Sequence, residues 1–229
     1  CSSLRIQHPD NPPFFAWVEN DYYKMTGDDA HIRELLLDKK FLQRYWDLFP
    51  TLSPERKLQF DHYPMSLRYR GIGYEWNGIS SGMDNTPRTR AGKGMLWVDA
   101  ISQQALSALY ISRLAKVSGD GATAREFAKK WKNLREIVNR YYWDEKDGCY
   151  YDIVPAAPGE TASASEEGAR PASGDGSRSA SGDGSRSASG DGTSEAGVPA
   201  SKSAWRTTGI LTPASFWPML AEIPSKAQA

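Results

Sequence analysis

"LWVDAISQQALSALYISRLAKVSG", residues 96–119, places apolar or small side chains on most sides of a helix, which predicts an element buried on several faces and ended by Gly119. "TAREFAKKWKNLREIVNRYYW", residues 123–143, is more amphipathic, and Thr123 with Glu126 supplies a capping box at its start. A short Gly-Asp turn separates the two segments, so they pair antiparallel. "YYW" at 141–143, with Trp46 and Trp131, is assigned to packing.

Working outward, "NPPFFAWVENDYYKMTGD" enters through prolines and spaces Phe15, Val18, Tyr22 and Met25 as one apolar helical stripe. Gly27 then provides a left-handed C-cap, and Asp28 caps a second helix running to Pro50. Ser53 and Pro54 restart a third. Downstream, "DGCYYDIV" (147–154) reads as a short strand entered through the Asp147–Gly148 turn, and "TPASFWPMLAEI" (212–223) as a short helix. Residues 155–204 contain no Leu, Ile, Met, Phe, Trp or Tyr, and "ASGDGSRS" starts at 172, recurs at 180 and decays at 188. Such a segment cannot bury enough apolar surface to offset its ordering entropy, so it is expected to be a disordered insertion. It separates residues 1–154 from 205–229. The recurring unit is an antiparallel helix pair, which can stack into a solenoid or close into a toroid.

Among 229 residues, 28 Lys and Arg balance 28 Asp and Glu, so no net field favours nucleic acid or an anionic membrane. No apolar run is long enough to span a bilayer. Cys1 and Cys149 make no disulfide framework. The chain opens on "CSS" with neither Met nor a signal peptide; a lipidated Cys1 would fit, but a piece of a longer chain is the expectation. His8, His31 and His62 match no metal pattern, and Gly92-Lys93-Gly94 lacks the spacing of a phosphate loop. No metal or cofactor is expected. Ser80, Ser81 and Ser102 lack the context of a serine hydrolase.

Between the helices lies a polar, aromatic loop, 71–97, with "YEWNGISSGMDNTPR" at 74–88. An aspartate such as Asp84, set between small and amide residues, is ordinarily a turn former. Its neighbours suggest a second role. Tyr74, Trp76 and Trp97 can exclude water and stack on a sugar ring, raising the carboxyl pKa as a general acid needs. Glu75 and Asp99, if ionised, would push the same way, whereas Arg88 would push the opposite way and is expected to hold Asp99 or substrate hydroxyls. Asn77 and Asn85 offer donor and acceptor together for hydroxyls.

"SGMDNTPR", followed by "WVDAISQQALSALYISRLAKVSGD", resembles the trehalase-like and glucosidase-like inverting glycoside hydrolases, glycoside hydrolase family 63 and its bacterial relatives above all. "HPDNPPFFAWVENDYYKMTGD", "WDEKDGCYYDIV" and "TPASFWPMLAEIPSKAQA" extend the likeness over nearly all of the chain outside the insertion. The resemblance implies an all-α fold of helical hairpins, part of an (α/α)6 barrel that is incomplete here. It places the general acid on Asp84, with Gly82, Met83, Asn85 and Arg88 around it and Trp97 and Asp99 lining the same pocket. Phe14, Phe15 and Trp17 face the barrel mouth by the same likeness, with core packing as an equal alternative.

The implied reaction is inverting hydrolysis of an α-glucoside or related oligosaccharide, the carbohydrate being the expected partner. The family's general base is a glutamate after a "YWRG"-like segment that does not occur here, so the base and the rest of the barrel are expected from missing C-terminal sequence. The alternative is a carbohydrate-binding or scaffolding α/α module without catalysis. A lyase or prenyltransferase toroid finds neither its Tyr/His pair nor its zinc site. Location in the periplasm or outside the cell follows from the resemblance.

Overall fold

A computed structural model describes residues 10–55, 66–83, 85–157 and 201–228. Helices α1 (Phe15–Thr26), α2 (Asp29–Arg33) and α3 (Phe41–Leu48) come first, followed by strands β1 (Arg68–Tyr69) and β2 (Tyr74–Glu75) and the one-turn helix α4 (Gly78–Ser81). Helices α5 (Val98–Val117) and α6 (Gly121–Tyr141) form the long hairpin. Strands β3 (Trp143–Asp144), β4 (Cys149–Tyr150), β5 (Ile153–Pro155) and β6 (Trp205–Thr207) and helix α7 (Trp217–Leu220) complete the order. The fold is all-α, and among the described residues the strands are confined to three two-stranded antiparallel ladders.

The expected central helix is α5, buried along nearly its whole length. It contributes Val98, Ala100, Ile101, Ala105 and Leu106 to one apolar cluster and Ala108, Ile111, Leu114 and Ala115 to a second. Gly119, with φ 81°, reverses the chain into α6. Here the capping expectation is corrected. Asp120 is the cap, accepting the Thr123 amide at 3.0 Å, so α6 starts at Gly121 and Thr123 sits inside its first turn. An aspartate three residues nearer the turn reaches the free amides first, and Glu126 instead pairs with Lys130 at 2.8 Å.

Gly27 (φ 65°) and Asp28, which accepts the His31 amide at 3.0 Å, separate α1 from α2 as expected. The stripe on α1 has a different role. Phe15, Val18, Tyr22 and Met25 are exposed, Met25 by 86%, while Ala16 and Asn20 turn inward. Spacing shows that a face is apolar but not which neighbour covers it. Close approach to the core uses the small Ala16 side, and Phe15 lies edge-on against Phe41 and Tyr45.

Residues 28–50 are not one helix. A π-helical turn, Glu34–Asp38, follows α2, and Lys40 adopts φ 47° before α3 restarts. In a continuous helix Leu36 and Leu42 would stand about 120° apart around the axis. The break lets both reach the same core cluster, and Gln43 donates to the Leu36 carbonyl at 2.8 Å. The helix expected after Ser53 falls mostly on residues 56–65, outside the described residues.

The strand expected over 147–154 is two strands with different partners. β4 turns back on β3 through Gly148 (φ 64°), whereas β5 pairs with β6, Ile153 opposite Thr207 and Pro155 opposite Trp205. Ala156 donates to the Ala204 carbonyl at 2.9 Å, so the chain leaves toward 158–200 and returns at one end of one ladder. Residues 158–200 themselves, most of the expected insertion, lie outside the described residues. The short helix expected at 212–223 begins as a 3₁₀ turn, Pro213–Phe216, with Thr212 and Ser215 capping it reciprocally, and continues as α7. No helix among the described residues is long and apolar enough to cross a membrane.

Candidate active site

The loop from 71 to 97 is built in short steps. β1 and β2 pair with Arg68 opposite Glu75 and Tyr69 opposite Tyr74. Asn77 then caps α4, its Oδ1 accepting the Ser80 amide at 2.7 Å, and Gly82 closes that turn at φ 73°. Only a residue at ease with positive φ fits there. The Met83 amide donates to the Gly78 carbonyl at 3.0 Å, and Thr86 Oγ1 donates to the Met83 carbonyl at 2.7 Å. A 3₁₀ turn, Pro87–Ala91, carries the chain on. Trp97 donates its amide to the Tyr74 carbonyl at 2.9 Å, and Leu96 exchanges backbone hydrogen bonds with Ile153 at 2.8 and 3.1 Å. Both ends of the loop are thus stitched to strands. Asp84, the expected general acid, lies outside the described residues.

Arg88 is fully buried and is the centre of the arrangement. Its Nη1 and Nη2 donate to Asp99 Oδ2 and Oδ1 at 2.8 and 2.9 Å, a bidentate pair. Its Nε donates to Asp152 Oδ2 at 2.8 Å, and Nη2 also donates to Asp152 Oδ1. The guanidinium lies 4.0 Å from the centre of the Trp97 ring, a cation–π stack. Asp152 in turn accepts the Val98 amide at 2.8 Å, at the start of α5, and Asp99 accepts the Ala100 amide at 3.1 Å. Burial alone would drive the guanidinium toward its neutral form, but Asp99 and Asp152 outweigh that and hold its pKa above the ordinary arginine value. Burial pushes the Asp152 carboxyl above its ordinary value, against the pull of Arg88.

The structure joins Arg88 to Asp99, one of the two kinds of partner expected for it, and adds Asp152, which was not among the expected site residues. A signal was present. A lone carboxylate inside "YYDIV" must find a cation or donors once the segment is buried. Arg88 and Asp99, assigned to substrate contact, have no exposed surface and hold each other, so in this conformation they position the loop rather than touch a ligand. Tyr74 and Trp97, expected as sugar-stacking walls, sit in the core at 1% and 3% exposure. Trp76 is buried beside them, 6.2 Å from the Trp97 ring and 6.2 Å from Phe49, and its indole Nε1 has no hydrogen-bond partner among the described residues.

The other expected residues are dispersed around the loop. Glu75 pairs with Arg70 at 2.9 Å and lies 3.8 Å from Arg68. Asn85 is exposed, Met83 is half-buried against the core, and the carbonyl of Asn77 is committed to its cap. Phe14 and Trp17 are half-buried and meet each other at 5.8 Å, together with Trp217 from the far end of the chain. No group of three or more His, Cys, Asp or Glu able to hold a metal ion occurs among the described residues.

Comparison with known proteins converges on the same segments. A model of the glycosyl hydrolase family 63 C-terminal domain matches residues 23–171, which include the 71–97 loop, the α5–α6 hairpin and Asp152. An uncharacterized protein of Borreliella burgdorferi is 30% identical over 141 residues, 62% of this chain. The aligned part is 26% of that relative, so the chain spans about a quarter of its length.

Proposed function

The chain belongs to glycosyl hydrolase family 63, and from that membership we propose that it serves the hydrolysis of O-glycosidic bonds in an α-glucoside or related oligosaccharide, with inversion at the sugar carbon. Its fold is that of helical hairpins of an (α/α)6 glycosidase barrel. Asp84 is the general acid of this reading, and protonates the departing glycosidic oxygen. A second carboxylate removes a proton from water on the opposite face of the sugar, roughly 6.5–9.5 Å from the first.

The observation that carries the reading is the anchoring of the loop around position 84. Gly82 and Met83 are fixed to α4 on one side. Arg88, four residues after Asp84, is locked between Asp99 and Asp152 on the other. A proton donor works only when it is held close to its target, and fixed neighbours at 83 and 88 support giving that role to the residue between them. Glu75 is paired with Arg70, and Asp99 with Arg88, which weighs against either as the base; by family likeness that role belongs to a glutamate of a later hairpin. A periplasmic or extracellular setting belongs to the same proposal and rests on family likeness alone.

Asp84→Asn tests the assignment. Hydrolysis by the full-length polypeptide should fall by several orders of magnitude with little change in melting temperature. Activity retained near the parent level removes Asp84 from the role of acid.

A further inference from the structure

β5 is held on both edges. On one side Leu96, at the end of the 71–97 loop, exchanges backbone hydrogen bonds with Ile153 at 2.8 and 3.1 Å. On the other, β6 pairs with it from Ile153 opposite Thr207 to Pro155 opposite Trp205, and the Thr208 amide donates to the carbonyl of Asp152 at 2.9 Å. Thr207 Oγ1 in turn donates to Asp144 Oδ2 at 2.7 Å, which moors β6 to β3. The loop also closes on this strand at Gly94, where an added Cβ would lie 3.5 Å from Pro155 Cγ. β5 is thus the middle of three extended segments. The loop lies on one edge, and on the other lies a strand from beyond residues 158–200.

Asp152 stands at the head of this arrangement. Its carbonyl belongs to the pairing with β6, while its carboxylate holds Arg88 and the Val98 amide. A carboxylate with 2% exposure is a costly brace if support is all that is needed, since well-packed apolar side chains would support the ladder as well or better. A fork of charge-assisted hydrogen bonds fixes what apolar packing leaves free, the distance and orientation of one particular side chain. That side chain is Arg88, four residues after position 84.

From this geometry we infer that Asp152 is a positioning residue: braced by β6, it sets the Arg88 turn and with it the acid-bearing loop. The inference rests on the glycosidase reading for what the loop does. Asp152 touches no sugar in this role, so its loss lowers kcat and leaves KM nearly unchanged. A residue that served stability alone would lower the melting temperature without that split.

The test compares the full-length polypeptide with Asp152→Asn, Thr208→Pro and Thr208→Ala, at a temperature well below every melting transition. Asp152→Asn keeps the shape and removes the charge. Thr208→Pro removes the amide that braces Asp152, and Thr208→Ala keeps it. In the first two variants kcat for maltose should fall about tenfold or more, with KM within about twofold of the parent, and Thr208→Ala should lose less. Amide exchange followed by mass spectrometry reads the loop whatever its chemistry. Residues 82–92 should exchange about tenfold faster in the first two variants, with 125–138 of α6 within about twofold. If Thr208→Pro does not fold, Asp152→Asn decides alone. Exchange that rises equally in the loop and α6, or in neither, overturns the positioning role. Faster exchange confined to the loop, with hydrolysis at the parent rate, upholds the positioning and rejects the loop as the seat of the acid. Loss of hydrolysis in Asp84→Asn, with parent kcat and parent exchange in Asp152→Asn, leaves the catalytic reading standing and rejects the positioning role.

Discussion

Arg88 and Asp152 stand 64 positions apart in the chain, yet two nitrogens of the guanidinium donate to the two oxygens of that carboxylate, in a place with no more than 1% exposure. One pair of side chains ties the turn after position 84 to the lead into β5 and, through the Val98 amide, to the start of α5. Long-range pairing of this kind turns a polar loop into part of the core. It also makes the loop costly to disturb.

Removal of one member leaves the others buried without compensation. Arg88→Ala should therefore cost roughly 3–5 kcal/mol of stability. Arg88→Lys should recover only part of that, because an ammonium cannot serve two carboxylates in a fork. Urea unfolding followed by circular dichroism measures both, and a loss under about 1 kcal/mol for Arg88→Ala would show that the network contributes little.

The pH dependence has a defined sign. Asp152 is raised above the ordinary 3.8 in the folded protein, mainly by burial. Between that value and the raised one the folded state binds more protons than the unfolded state, so this group's contribution to stability falls as pH rises through the window. Asp152→Asn removes the titration. The stability of the parent relative to Asp152→Asn should be greatest at the acid end of the window and decline toward its upper end. Thermal melts at a series of pH values provide the curve, and a flat or rising difference contradicts it.

Asp120 caps α6 by accepting the Thr123 amide at 3.0 Å. Asp120→Ala should cost about 1 kcal/mol, the usual loss for an N-cap, while Thr123→Ala should cost a few tenths at most. The reverse order in chemical denaturation would restore the Thr123–Glu126 box as the start of the helix.

What could be read from the chain alone follows from the range of the forces involved. The α5–α6 hairpin, the Gly27 and Asp28 caps and the burial of Tyr141, Tyr142 and Trp143 depend on residues within a few turns of each other, and periodicity reports them. Arg88 with Asp99 was within reach because eleven positions separate them. For Asp152 the apolar setting of "YYDIV" signals that a partner is needed, but nothing local says that the partner is Arg88, 64 positions away. The π-helical turn at Glu34–Asp38 and the outward stripe of α1 fail to show for the same reason, because packing against distant helices outweighs local preference in both places. The aromatic loop reads from its composition as a site, and the structure places its rings in the core. Tyr74 and Trp97 are the residue types a sugar pocket uses and also the types that fill an interior, and only contacts tell the two apart.

Gly73 tests how tightly that loop base is packed. A Cβ added there would collide with the Tyr142 hydroxyl and come 3.2 Å from Leu96 Cβ. The hydroxyl has little room to retreat, because Tyr142 is fully buried and donates to the Ile72 carbonyl at 3.1 Å. Gly73→Ala should destabilise by about 1–3 kcal/mol, the range for forcing a methyl into a filled core. Tyr142→Phe removes the obstructing oxygen, and should itself cost about 1 kcal/mol through the lost hydrogen bond. The double variant should then be more stable than the two single losses predict, by about 1 kcal/mol or more, as coupled neighbours behave. Strict additivity in a double-mutant cycle would mean that the loop base yields on its own, without the tyrosine giving way.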